Sequence, residues 1–231
     1  MEKDGSTPGN PASAIAQGLV TALMGYGKLL ERDYWAVIDR SALKPSQVVE
    51  LVARRFPEFA PREFASFRRV AREEAREDLD PRQGPPDKTL DSPSAPTHSL
   101  QPGDELEVTI PGVGVCGVRV LHRGPTSFTL GTLPGHPEAG RITFGAYRNR
   151  RGDVIFHIRS RARSGSRQHL LGFLTAGDPM QTNTWTEFVN RVALTVGEGV
   201  VGFIHADKRK SDDEPDDPEV LCSPTFLAEA D

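Results

Sequence analysis

Apolar positions recur along this chain with two different periods, and the change of period divides it. In the first part they fall three and four residues apart. Ser13 stands as an N-cap before Ile15, Leu19, Leu23 and Leu30, which predicts a helix from Ser13 through Leu30. Tyr34-Trp35-Ala36-Val37-Ile38-Asp39 is short, aromatic and β-branched, and predicts a buried strand. Pro45 suits the first turn of a helix, where a missing N–H needs no partner, and Val48, Val49, Leu51, Val52 and Phe56 continue at helical spacing. Pro57 closes that helix. Pro61 opens a further predicted one, with Phe64, Phe67, Val70 and Ala71 as its stripe and Arg62, Arg69, Glu73, Arg76 and Glu77 on a solvated face. Residues 78–103 then hold six prolines and few large apolar side chains, a composition that predicts a linker inserted in the fold.

From Asp104 the period becomes two. Leu106, Val108 and Ile110 alternate with polar neighbours, as do Val118 and Val120, Phe128 and Leu130, Ile142 to Ala146, and Val154 to Ile158. Short strands at this spacing, joined by glycine-containing turns such as Asn149–Asp153 with Gly152, predict an antiparallel meander. A last helical stripe runs through Trp185, Phe188, Val192, Val196 and Phe203. Gly197, Gly199 and Gly202 interrupt it at about 1 kcal/mol each in an exposed helix, so the helix either lies close against a sheet or breaks there.

Strand, helix pair, meander and long C-terminal helix make an α+β fold. A curved antiparallel sheet around the C-terminal helix lets the helix stripe and the inward strand residues cover one another. This order resembles the helix-grip architecture of START-like and polyketide-cyclase-like proteins. The organisation expected is a disordered leader over 1–12, one domain over 13–206 with the linker at 78–103, and a disordered acidic tail over 207–231.

Composition narrows the classes. The 231 residues carry a net charge of −4, which excludes a globally basic nucleic-acid binder, and nucleic acid is not an expected partner. Two distant cysteines, Cys116 and Cys222, can build neither a disulfide framework nor a cysteine-rich metal site. The opening Met-Glu-Lys-Asp-Gly lacks the positive region of a signal peptide, and the apolar stretch Ala14–Tyr26 is too short to span a bilayer. A cytoplasmic protein with reduced thiols and no membrane span is expected.

Leu130-Gly131-Thr132-Leu133-Pro134-Gly135-His136-Pro137-Glu138 is the distinctive stretch, followed by Phe156-His157-Ile158-Arg159-Ser160-Arg161 on the next strand. Over residues 104–205 the chain resembles the bacterial and plant family called domain of unknown function nineteen-ninety, whose members carry a TLPGHPE segment and a later strand of the form F-x-I-x-A-F-S-R-P. Thr132 through Glu138 match closely, whereas Ala162 stands where the family tends to have proline. The resemblance implies a helix-grip fold and no established activity.

The residues themselves suggest chemistry. His136 and Glu138, on a loop stiffened by Pro134 and Pro137, would sit at the mouth of a cavity, where a near-neutral imidazole can bind or deprotonate a ligand. The same pair can instead form a rigid turn. A lone His-x-Glu supplies at most two metal ligands, so no metal is expected. No nucleophile elbow, P-loop or dinucleotide fingerprint is present, and Gly112–Gly117 belongs to a strand turn, so no cofactor is expected.

Eight arginines against Asp153 give residues 141–170 an excess of +7, with Arg159, Arg161 and Arg163 on one strand face beside His157. They form a candidate anion-binding face, or one neutralised by the acidic tail, whose balance is −6.

The leading expectation is a module that binds a hydrophobic small molecule or lipid-like ligand between sheet and C-terminal helix. Phe128, Phe144, Phe156, Ile158 and Trp185 would line the site, and Thr132, His136, Glu138 and Arg161 would give it polar specificity. The alternatives are a cyclase- or hydrolase-like enzyme, with His136 as general base oriented by Glu138, and an interaction protein working through the arginine-rich hairpin.

Overall fold

The computed structural model describes residues 15–70, 98–166 and 178–211. Among them lie eight strands: β1 (Tyr26–Ile38), β2 (Ser66–Arg69), β3 (Glu105–Ile110), β4 (Gly114–Arg123), β5 (Ser127–Thr132), β6 (Glu138–Arg148), β7 (Val154–Ser164) and β8 (Val200–Ser211). The helices are α1 (Pro45–Arg54), the single turn α2 (Phe56–Phe59) and α3 (Asp178–Val196). The strands form one antiparallel sheet in the order β2-β3-β4-β5-β6-β7-β1-β8. The meander is therefore sequential from β2 to β7, and β1 is inserted between β7 and β8. One antiparallel sheet with helices packed on one face is a helix-grip arrangement, α+β as the sequence pattern predicts.

All three helices press on one face of the sheet, here the inner face. Their meeting point is aromatic. The Phe56 ring lies 5.0–5.8 Å from those of Phe67, Phe128, Phe144 and Phe188, and none of Phe56, Phe128, Phe144 and Phe188 is exposed. Ring pairs in this range add about 0.5–1.5 kcal/mol each to the burial of their area. On α3, Phe188, Val189, Val192 and Ala193 are fully buried, so the periodic stripe faces the sheet as its spacing requires.

Four expectations need correction or extension. No helix spans 13–30: after one 3₁₀ turn at Ala22–Met24, β1 begins at Tyr26. Val20 donates its N–H to the Thr132 carbonyl at 2.9 Å, tying this segment to β5 rather than to a helix of its own. Leu29 and Leu30, adjacent and thus on opposite faces, are both buried, as an interior strand permits and a helical stripe does not require. The helix expected from Pro61 is a turn followed by β2, where Phe67 pairs with Val108; Arg69 donates to the Ala53 and Arg54 carbonyls at 2.8 and 3.1 Å, covering the C-terminal end of α1. The C-terminal helix stops at Val196, and the chain reverses through Gly197–Gly199 into β8, which leaves Phe203 on a strand and 68% exposed. β8 also reaches past Ala206, pairing Asp207 to Ser211 with β1.

Gly152 has φ of 88°, as the Asn149–Asp153 turn requires. Of the stretch 78–103, residues 98–103 are described, and Leu100 is fully buried there. The leader at 1–12, the rest of that stretch and the tail beyond Ser211 lie outside the described residues, as do Ala71, Glu73, Arg76, Glu77 and Cys222. Cys116 is buried, and burial pushes its thiol up to about 11, so it remains protonated and unreactive. No helix among the described residues is long and apolar enough to cross a membrane.

Candidate functional site

The aromatic cluster fills the middle of the grip and leaves one end hollow. A cavity of about 100 Å³ lies between the β4–β7 end of the sheet, the Phe64–Phe67 segment and the first turns of α3. Phe64, Phe67, Ile110, Leu130, Ile142 and Trp185 form its apolar wall. Thr132, His136, Glu138, Ser160, Gln181 and Thr184 supply its polar groups.

Each polar group is placed by its element. Gly135, at φ of 87°, lets the Leu133–Pro137 turn bring His136 back toward the sheet. The Glu138 N–H donates to His136 Nδ1 at 3.0 Å. His136 Nδ1 also lies 3.1 Å from the Glu138 carbonyl oxygen, so the Glu138 main chain can serve either tautomer of the ring. Burial lowers the His136 pKa below its ordinary 6.5, with the Glu138 charge opposing in part, so the ring is neutral near pH 7. Glu138 thus orients His136 through its main chain, not its carboxylate.

The Glu138 carboxylate serves another residue. Arg32, on the inner face of β1 and without exposed surface, donates to Glu138 Oε1 at 3.0 Å. A wholly buried guanidinium is costly unless paired, and this ion pair joins β1 to the start of β6 behind the cavity. Thr132 is also committed: its hydroxyl donates to the Val20 carbonyl at 2.8 Å and accepts from the Gly140 N–H at 3.0 Å. Thr184 donates to the Met180 carbonyl at 2.7 Å. Ser160, 3% exposed, differs: its hydroxyl has no hydrogen-bond partner among the described residues, and neither does Gln181 Oε1.

Of the site residues expected from sequence, Thr132, His136, Glu138 and Trp185 line the cavity together. Phe128, Phe144, Phe156 and Ile158 do not: they belong to the solid aromatic and aliphatic core. Arg161 is on the opposite face of the sheet, because Ser160 and Ala162 on either side of it face the cavity. Sequence reasoning missed Ser160, Gln181 and Arg32. Ser160 was within reach of the alternation itself, as a polar residue at an inward position between Ile158 and Ala162.

On the outer face the arginines meet β1. Arg161 pairs with Glu31 at 2.7 Å, Arg209 reaches the other oxygen of Glu31 at 2.6 Å, and Arg159 pairs with Asp33 at 2.6 Å. His157 Nε2 lies 2.7 Å from the same Asp33 oxygen and its Nδ1 lies 3.3 Å from the Tyr147 hydroxyl. Burial works to raise the Asp33 pKa, but hydrogen bonds from His157 and Arg159 prevail and hold it below the ordinary value. Carboxylates of a neighbouring strand thus balance much of the charge of this face. Among the described residues no three His, Cys, Asp or Glu side chains gather as a metal site.

No curated protein matches this chain. Solved structures do, at the level of fold. A Thermobifida fusca protein solved by NMR is 10% identical, with 73% of this chain and 95% of that one covered and a TM-score of 0.42. Norcoclaurine synthase from Thalictrum flavum is 10% identical, with 74% and 98% covered and a TM-score of 0.44. The di-domain aromatase/cyclase StfQ of the steffimycin pathway is also 10% identical, with 74% of this chain and 51% of StfQ covered, at 0.44. At the level of sequence, the profile of one family extends over residues 68–203, from within β2 through the meander and α3 into β8, and so takes in the cavity's His136, Glu138, Ser160 and Trp185; the chain belongs to that family, described as Domain of unknown function (DUF1990).

Proposed function

We propose that this protein is a binding module holding a small, largely apolar molecule in the cavity between the sheet and the start of α3. The observation that carries this reading is the cavity itself. Its lining is mostly apolar with several polar side chains, and it lies beside the buried aromatic core. Protein interiors close voids of this size unless something maintains them, since each lost contact costs stability. Its volume of about 100 Å³ is below the range of drug-sized pockets, about 300–1,000 Å³, and nearer to the holes that admit a benzene-sized guest. The ligand in this reading is a compact molecule or the end of a chain.

Native mass spectrometry of the protein purified from its host tests this. A mass increment that disappears when the protein is denatured is expected. Trp185, on the cavity wall, should change its fluorescence when the ligand is stripped and restored. A ligand-free mass from host-purified protein, with unchanged fluorescence on adding a host small-molecule extract, would contradict the reading.

A further inference from the structure

The polar groups around the cavity can be accounted for one by one. Thr132 is held by Val20 and Gly140, and Thr184 by the Met180 carbonyl. Glu138 is held by Arg32, and His136 Nδ1 by the Glu138 N–H. Arg141, also buried and on the cavity lining, has interactions of its own. Two groups remain. Ser160 Oγ, on a side chain 97% buried, and Gln181 Oε1 have no hydrogen-bond partner among the described residues, and both residues line the same cavity.

Buried polar atoms in folded proteins are rarely left without a partner, because each forfeits its hydration without replacement. Two such atoms facing one hollow point to a guest that supplies the missing bonds. Their chemistry restricts it. Gln181 Oε1 only accepts, so the guest must donate to it; Ser160 Oγ donates and accepts. A carboxylate offers no proton to Gln181; of the buried cations near the site, Arg32 is paired with Glu138 and Arg141 has interactions of its own. A pure hydrocarbon would leave both atoms unsatisfied. A neutral hydroxyl meets both demands, donating its proton to one oxygen and accepting from the other. The apolar wall of Phe64, Phe67, Ile110, Leu130, Ile142 and Trp185 then surrounds the rest of the molecule.

We infer that the cavity selects a compact neutral alcohol or phenol, with its hydroxyl seated on Ser160 Oγ and Gln181 Oε1. This rests on the binding-module reading and specifies its ligand class.

The test uses three probes of similar shape: phenol, toluene and benzoate. Binding to the full-length protein is followed by calorimetry and by Trp185 fluorescence. Phenol is expected to bind on the order of tenfold more tightly than toluene, and benzoate more weakly than either. Ser160→Ala should remove most of phenol's advantage while leaving toluene affinity unchanged, and Gln181→Leu should act the same way. Equal affinity for phenol and toluene in the unaltered protein overturns the hydroxyl inference but leaves a binding module. Tighter binding of benzoate overturns it in favour of an anion site. Binding of none of the three overturns both the inference and the reading on which it rests.

Discussion

Arg32 shows how a single side chain can be both the least expected and the most constrained residue near a site. It has no exposed surface, and Glu138 Oε1 lies 3.0 Å from its guanidinium. Glu138→Ala strands the guanidinium in the interior and should lower stability by about 3–5 kcal/mol in chemical denaturation; Arg32→Met combined with Glu138→Leu should recover most of that loss, since apolar replacements dispense with the desolvation of both ions. Ser160 behaves in the opposite sense. Its hydroxyl is buried without a partner, so Ser160→Ala should leave the melting temperature of ligand-free protein unchanged or raise it. His136 adds a pH dependence of definite sign. Its folded pKa lies below the unfolded 6.5, so the unfolded chain binds the proton more readily in that interval. The stability that the neutral ring contributes is complete above 6.5 and is lost as pH falls toward the folded pKa. Melting temperatures of His136→Asn should therefore fall less than those of the unaltered protein between about pH 7.5 and 5.

The elements divide into those that announce themselves and those that do not. α1, the strands of the meander and the buried stripe of α3 are legible because their apolar period matches their geometry, with Pro45 and the turn at Gly152 as punctuation. β1 is not legible in its first half. Glu31-Arg32-Asp33 reads as a polar boundary, yet each charge finds its partner on another strand: Arg161 and Arg209, Glu138, and Arg159 with His157. A local window contains none of those partners, so the strand's length cannot be read from it. β8 is hidden for a related reason, as its alternation is weak and Phe203 is left exposed. Within the site, the Thr132–Glu138 turn draws the eye because of its prolines and histidine, whereas Ser160 and Gln181 acquire meaning only once the cavity they share is seen. The junction of β6 and β7 is tighter than its sequence suggests. A Cβ at Gly140 would stand 2.2 Å from the Arg161 carbonyl oxygen and 2.7 Å from Ala162 Cα. Both are main-chain atoms that cannot swing aside, so Gly140→Ala should cost at least the upper end of the usual overpacking range, about 3 kcal/mol, by thermal or urea unfolding.

Across the whole molecule, part of the arginine excess on the outer face is matched by carboxylates of a paired strand. Glu31 and Asp33 face Arg159, Arg161 and Arg209 from the neighbouring strand. Glu31→Gln with Asp33→Asn should increase retention on heparin at low salt, whereas removing residues 212–231 should change it little; the reverse order would assign the shielding to the acidic segment instead. The position of β1 has a consequence in time as well as in charge. It is the first of the described strands to be made, yet its hydrogen-bonding neighbours come much later in the sequence: Asp33 and His157 are 124 residues apart, and Glu31 and Arg209 are 178 apart. The meander from β3 to β7 can assemble on its own neighbours as it emerges, but β1 has no edge to join until β7 exists, and β8 pairs with β1 alone among the described strands. At about 5–20 residues per second, synthesis leaves β1 waiting roughly six to twenty-five seconds for β7 to be complete. The earliest of the described strands is thus protected only after the meander, and pulsed proteolysis of stalled nascent chains should find the cut sites around Tyr26–Ile38 closing only after those of the meander.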